Sequence, residues 1–304
     1  MVRAATSSGT VPFMGYETWY RVTGDLRSPM TPLIVVHGGP GFTHDYVLSL
    51  SELAATGRPI VHYDQLGCGN STRLPERGGE FWTVELFLDE LDNLLGALGV
   101  KNNYHLLGQS WGGMLGAEHA MRQPRGLRSL ILSNSPASEQ VLLDEAHRMR
   151  RDLPADVQAV LDEHEAAGTI DDPAYLEATQ AFYDQHSCRV LPYPPEVQAS
   201  FDAVAADPTV YSAMIGPNEM FCTGTLRDWS VIGRLDTITA PTLLLSGRFD
   251  EATPATVQPF ADEIADASWT IFEESSHMPF VEEPEAYFSV VSDFLARHEP
   301  LRHS

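Results

Sequence analysis

Ser110 lies in Gly108-Gln109-Ser110-Trp111-Gly112, a match to G-x-S-x-G. A serine hydroxyl framed by glycines suits nucleophilic attack on a carbonyl carbon. The glycines allow a sharp turn that lifts the hydroxyl clear and aims the next backbone N–H, on Trp111, at the same point. The plain alternative is a glycine-rich turn with an incidental serine. A second run, His37-Gly38-Gly39-Pro40-Gly41, sets consecutive glycines where backbone can pass close to a substrate. The N–H groups of Gly39 and Trp111 together would hold the oxyanion of a tetrahedral intermediate. The bland reading of that run is a tight turn before a helix.

Such chemistry needs elements that hold these residues. Short apolar runs at 33–36, 59–63, 104–107, 130–132, 242–245 and 269–272 read as strands buried on both faces. Residues 13–22 alternate loosely and read as one or two antiparallel strands. Between several of these runs the apolar spacing turns helical. In 83–98, Val84, Phe87, Leu88, Leu91, Leu94, Leu95 and Leu98 share one face, and Gly99 stops the helix. A second helix is expected over 114–122. Strands alternating with helices predict an α/β fold with a mainly parallel sheet. The His37 run then follows one strand, and Ser110 joins another strand to a helix, the context its motif requires.

From about residue 135 to 234 the rhythm breaks. The segment is acidic, helix-rich and punctuated by Pro154, Pro173, Pro192, Pro194, Pro195, Pro208 and Pro217; strands resume at Thr242. The expectation is one core domain, 1–134 and 236–304, interrupted by a helical cap, 135–235. If the fold is the α/β-hydrolase, the acid and then the histidine should follow the serine at the ends of later strands. Asp250 and His277 stand there. Ser110 would attack, His277 take and return its proton, and Asp250 fix the ring's tautomer and stabilise the imidazolium. Other candidates have quieter readings. His62 falls inside a strand and reads as core, His298 and His303 as tail, and His37 and Asp64 as loop-ordering residues.

His37–Gly41, residues 64–71 (DQLGCGNS), 108–113 (GQSWGG) and the late Asp and His together resemble the proline iminopeptidase family of α/β-hydrolases. Phe42-Thr43-His44-Asp45-Tyr46, Gly216-Pro217-Asn218-Glu219, Gly224-Thr225 and Asp228-Trp229 are most similar to its tricorn-interacting aminopeptidase and L-amino-acid amidase branch. The resemblance implies an eight-stranded, mainly parallel sheet with helices on both faces and a helical cap over the site. It implies an oxyanion hole from Gly39 and Trp111. It also implies that Glu219 and Glu251 hold the free α-amino group of the substrate. An ammonium leaving water needs opposing charge and hydrogen bonds, which two carboxylates supply. Without the resemblance, Glu219 reads as a solvated cap residue and Glu251 as a surface neighbour of Asp250. Phe42, Trp111 and Phe221 could line an apolar side-chain pocket or simply pack.

The expected function is therefore a serine hydrolase cleaving an amide next to a free α-amino group, in amino-acid amides or short peptides. An esterase or lactonase acting on substrates without an amine uses the same triad, and a non-catalytic binding protein is the reading from another class. Composition narrows the field. Across 304 residues, 42 acidic side chains against 19 Lys plus Arg leave a net charge of −23. No basic footprint exists for nucleic acid, and anionic membrane surfaces would repel the chain. No apolar run approaches the ~18 residues of a membrane span, and the N-terminus lacks a signal-like apolar stretch. Cys68, Cys188 and Cys222 are widely spaced, which rejects a disulfide scaffold or a CxxC metal site and favours a cytoplasmic setting. No cofactor is called for, because the triad works alone and the P-loop lysine is missing.

Overall fold

The computed structural model describes residues 4–299. Eight strands form one sheet: β1 (Thr6–Phe13), β2 (Tyr16–Thr23), β3 (Leu33–Val36), β4 (Ile60–Tyr63), β5 (Tyr104–Gln109), β6 (Leu127–Ser133), β7 (Thr242–Gly247) and β8 (Ala267–Phe272). Their order is β1-β2-β4-β3-β5-β6-β7-β8. The β1–β2 and β2–β4 pairs are antiparallel, and the others are parallel. The anticipated strands at 13–22 are the end of a longer hairpin. Its first strand starts at Thr6, where polar, exposed edge residues give no apolar signal. The run at 269–272, expected to be buried on both faces, lies in the edge strand β8. It is mostly half-exposed, because β7 is the one described strand that pairs with it.

Alternate residues of the central strands feed two separate cores, as the period of a strand demands. Ile34, Val61, Leu106, Leu130 and Leu244 pack on one face with Phe87, Leu91, Met114 and Phe260. These come from α1 (Val84–Ala97), α2 (Trp111–Met121) and, later in the chain, the helix Pro254–Glu263. Leu33, Val35, Leu107, Ile131 and Leu245 pack on the other face with Val47, Leu50, Tyr287, Val291 and Phe294. This face is covered by a 3-10 helical run, Asp45–Thr56, and by the helix Pro284–Arg297.

Five helices separate β6 from β7: α3 (Glu139–Arg150), α4 (Ala155–Ala167), α5 (Pro173–His186), α6 (Pro195–Ala206) and α7 (Thr209–Met214). Pro173 and Pro195 open α5 and α6, where a missing N–H costs nothing. The first three helices share a small core of their own with Ala146, Met149, Leu161, Tyr175, Phe182 and Met220. After β7 come α8 (Pro254–Glu263), α9 (Pro279–Glu282) and α10 (Pro284–Arg297). A polar tail from Arg297 onward is expected to fray, but Glu299 accepts from Thr31 N–H at 2.7 Å and pairs with Arg58 at 2.8 Å. The rest of that tail, residues 300–304 with His303, lies outside the described residues, as do residues 1–3. No described helix is long and apolar enough to cross a membrane.

Candidate active site

Ser110 occupies the corner between β5 and α2 at φ 55°, ψ −124°, a strained backbone for a residue with a side chain. The turn is possible because its neighbours lack side chains. A Cβ on Gly108 would lie 2.0 Å from Gly112 O, and one on Gly112 would lie 2.1 Å from Val36 O. Trp111 is the first residue of α2, so its N–H has no intrahelical acceptor. Its indole donates to Gln65 Oε1 at 2.8 Å. Gly39 sits at φ 107°, and a Cβ there would meet Gly41 N at 2.6 Å, so only glycine fits this loop.

Asp250 follows β7, and His277 follows β8. His277 Nδ1 lies 2.6 Å from Asp250 Oδ1. With the carboxylate as acceptor, Nδ1 carries the proton and Nε2 faces the site. Asp250 is fully buried and further held by Ala252 N–H at 2.8 Å and Asn134 Nδ2 at 2.6 Å. On the far side of the ring, Nε2 is 3.6 Å from Glu251 Oε1. Burial by itself would lower the His277 pKa, but Asp250, Glu251 and Glu219 outweigh it and raise it to about 9. Burial pushes Glu251 well above the carboxylate range, against the pull of His277.

Two small adjoining lobes open at these residues. Gly39, Ser110, Glu219, Glu251 and His277 line both. Aromatic and apolar side chains, Phe42, Tyr46, Phe201 and Met278, extend the first. Trp111, Met114, Leu142 and Ile215 extend the second. Glu219 reaches the site from the segment after α7, held by hydroxyl donors from Tyr183 and Tyr211, the latter at 2.6 Å. Phe221 lines neither lobe; its N–H closes a turn onto Asn218 O at 3.1 Å. His37 orders its loop: Nδ1 donates to Gly38 O at 2.9 Å, and Nε2 accepts from Gln65 N–H at 3.0 Å. Asp64 accepts from His44 and Asn70, and His62 is buried with Nε2 at 3.1 Å from Val47 O.

A match to the α/β-hydrolase-fold family model spans residues 31–284. The proline iminopeptidase of Levilactobacillus brevis is 41% identical over 96% of this chain and 97% of its own length. The chain belongs to the proline iminopeptidase family of α/β-hydrolases. It is a hydrolytic enzyme. Two solved structures are closer still in sequence. VinJ is 55% identical at TM-score 0.94, and the proline iminopeptidase of Mycobacterium smegmatis is 52% identical at TM-score 0.89; each covers 96% of this chain and 98% of its own.

In this family member, sequence reasoning missed the residues that tie the site together. Tyr46 OH accepts from Gly38 N–H at 2.6 Å and donates to Gln109, whose Nε2 donates to His277 O at 3.1 Å. One chain of hydrogen bonds thus joins the His37 loop, the Ser110 turn and the His277 loop. Asn134, at φ 55°, was missed as the second support of Asp250. Glu139 was missed as a third carboxyl on the second lobe. An acidic residue in an acidic segment carries no signal of its own. Gln109 at least was legible as the variable position of the serine motif.

Proposed function

We propose that this enzyme hydrolyses the amide bond after an N-terminal residue that carries a free α-amino group. Ser110 attacks the carbonyl, and His277 takes its proton and returns it to the leaving amine. Asp250 holds the ring in the productive tautomer. The Gly39 and Trp111 N–H groups receive the oxyanion, and water then hydrolyses the acyl-enzyme. Glu219 and Glu251 take the substrate ammonium. The observation that carries this reading is that these two carboxyls line both lobes beside Ser110 and His277. No lysine or arginine is among the residues lining either lobe, so a cationic ligand is the natural complement. Relatives at 41% and 52% identity bear the name proline iminopeptidase, which supports the same class. Residues 135–235 act as the cap that brings Glu219 over the nucleophile. Three buried free thiols, Cys68, Cys188 and Cys222, suit a reducing cytoplasm.

The test is a panel of proline, alanine, leucine and phenylalanine amides with N-acetylated controls. Free amines are expected to turn over and acetylated ones to fail. Equal rates would overturn amine recognition and leave an esterase-like hydrolase. Ser110→Ala is expected to lose at least about 10⁴-fold in turnover; unchanged turnover would remove the serine mechanism.

A further inference from the structure

Glu139, the first residue of α3, has no role in the mechanism above. It is 1% exposed, and neither carboxylate oxygen has a hydrogen-bond partner. The Cys222 thiol lies beside it and pulls its pKa down, yet makes no well-formed hydrogen bond to either oxygen. Glu251 Oε2 is unpartnered as well. Buried carboxyl oxygens without donors are costly, so three in one lobe, both of Glu139 and one of Glu251, point to donors that arrive with the ligand. Both residues line the lobe that also holds Ser110 and Glu219. Glu219 differs from them, since two tyrosine hydroxyls already fix it.

We infer that Glu139 is a third carboxyl for the substrate amine and makes the enzyme favour primary α-ammonium groups over the secondary ammonium of an N-terminal proline. A primary ammonium carries three N–H donors, one for each of Glu139, Glu219 and Glu251. A proline ammonium carries two and leaves one carboxyl unmet. Burial raises Glu139 to about 7, with Cys222 opposing and Glu219 adding to the rise. Near neutral pH it therefore ionises readily once an ammonium offers compensation. The inference rests on the amine-binding reading and extends it to one class of amine.

The experiment compares kcat/KM for alanine and proline p-nitroanilides in the native enzyme and in Glu139→Gln. Rates are normalised to Ser110 titrated with a fluorophosphonate, and thermal midpoints are recorded. The alanyl substrate is expected to lose about 10- to 100-fold and the prolyl substrate under about threefold. The midpoint should hold or rise, because an unpartnered charge is removed. Equal losses on both substrates, or no loss on either, overturn the inference. Glu139→Asp withdraws the carboxyl by one methylene. It should move the alanyl-to-prolyl ratio the same way by a smaller factor, which keeps the test available if the Gln variant folds poorly. Glu219→Gln and Glu251→Gln separate the two levels. If they spare both substrates, amine binding itself fails; if they impair both while Glu139→Gln leaves the ratio unchanged, only the primary-amine inference fails.

Discussion

Asp250 and Glu251 are consecutive, yet they meet His277 on opposite sides, at 2.6 Å from Nδ1 and 3.6 Å from Nε2. Both raise the ring's pKa, with different consequences. In the proposed mechanism Asp250 stabilises the imidazolium formed on proton transfer, whereas Glu251 would stabilise it before any substrate is bound. A ring raised to about 9 predicts a base that is largely protonated at pH 7 in the free enzyme. Hydrolysis of p-nitrophenyl acetate, which has no amine, should therefore rise with pH through about 9. Burial opposes ionisation of Glu251, and whatever charge it carries beside His277 raises the ring; Glu251→Gln removes that contribution, so the limb is expected to move to lower pH. For every tenfold loss of proton affinity at the ring, the ester should be cleaved about tenfold faster at pH 7, while turnover of amino-acid amides falls. A limb that stays in place would show that Glu251 does not set the charge of His277. An ammonium bound at Glu219 and Glu251 would do what the substitution does, which couples substrate recognition to activation of the base.

At the scale of elements, the site is the place where loops after β3, β5, β7 and β8 converge at one edge of the sheet. Parallel pairing brings this about, since every such strand delivers its C-terminal loop to the same side. One tight constraint lies between the Ser110 turn and the end of β3, where Gly112 faces Val36 O. Gly112→Ala should displace α2 or β3. Turnover of amide and ester alike is expected to fall at least about a hundredfold, with a stability loss of about 1–3 kcal/mol in thermal or urea unfolding. Gly96→Ala serves as the control. Nothing lies within 4 Å of its missing Cβ, and it sits in α1. That variant should match or exceed native stability by about 0.5 kcal/mol. A harmless Gly112→Ala would mean that the turn tolerates a displacement its contacts forbid.

The whole molecule carries a net charge of −23. Most of these charges are spread over the surface, and few acidic side chains are buried. The field they sum to attracts cations, and the two lobes lack a lysine or arginine to oppose it. Raising ionic strength from about 0.01 M to about 0.15 M shortens the screening length from about 30 Å to about 8 Å. For a cationic amino-acid amide, kcat/KM should fall over that range, while for p-nitrophenyl acetate it should stay level. Parallel behaviour of the two substrates would assign the salt effect to something other than attraction of the amine.

The sequence by itself determined what depends on near neighbours in the chain. Apolar runs named the central strands, helical spacing named α1 and α2, and the glycines around Ser110 and Gly39 declared turns that only glycine can make. The order of serine, acid and histidine along those strands then placed Asp250 and His277, because each loop inherits its position from the strand before it. The polar edge strand β1 and the half-exposed β8 were less legible, since each pairs on one side only and part of it stays open to solvent. The resemblance already pointed to Glu219 and Glu251, whereas only the tertiary structure brings Glu139 into a lobe with them and Ser110. Glu139, Glu219 and Glu251 come from three separate segments, and nothing local distinguishes Glu139 from its solvated neighbours. The same holds for Gln109 and His277, joined by a hydrogen bond across 168 positions. Contacts of that span are made by packing, and a sequence pattern records packing only where it repeats.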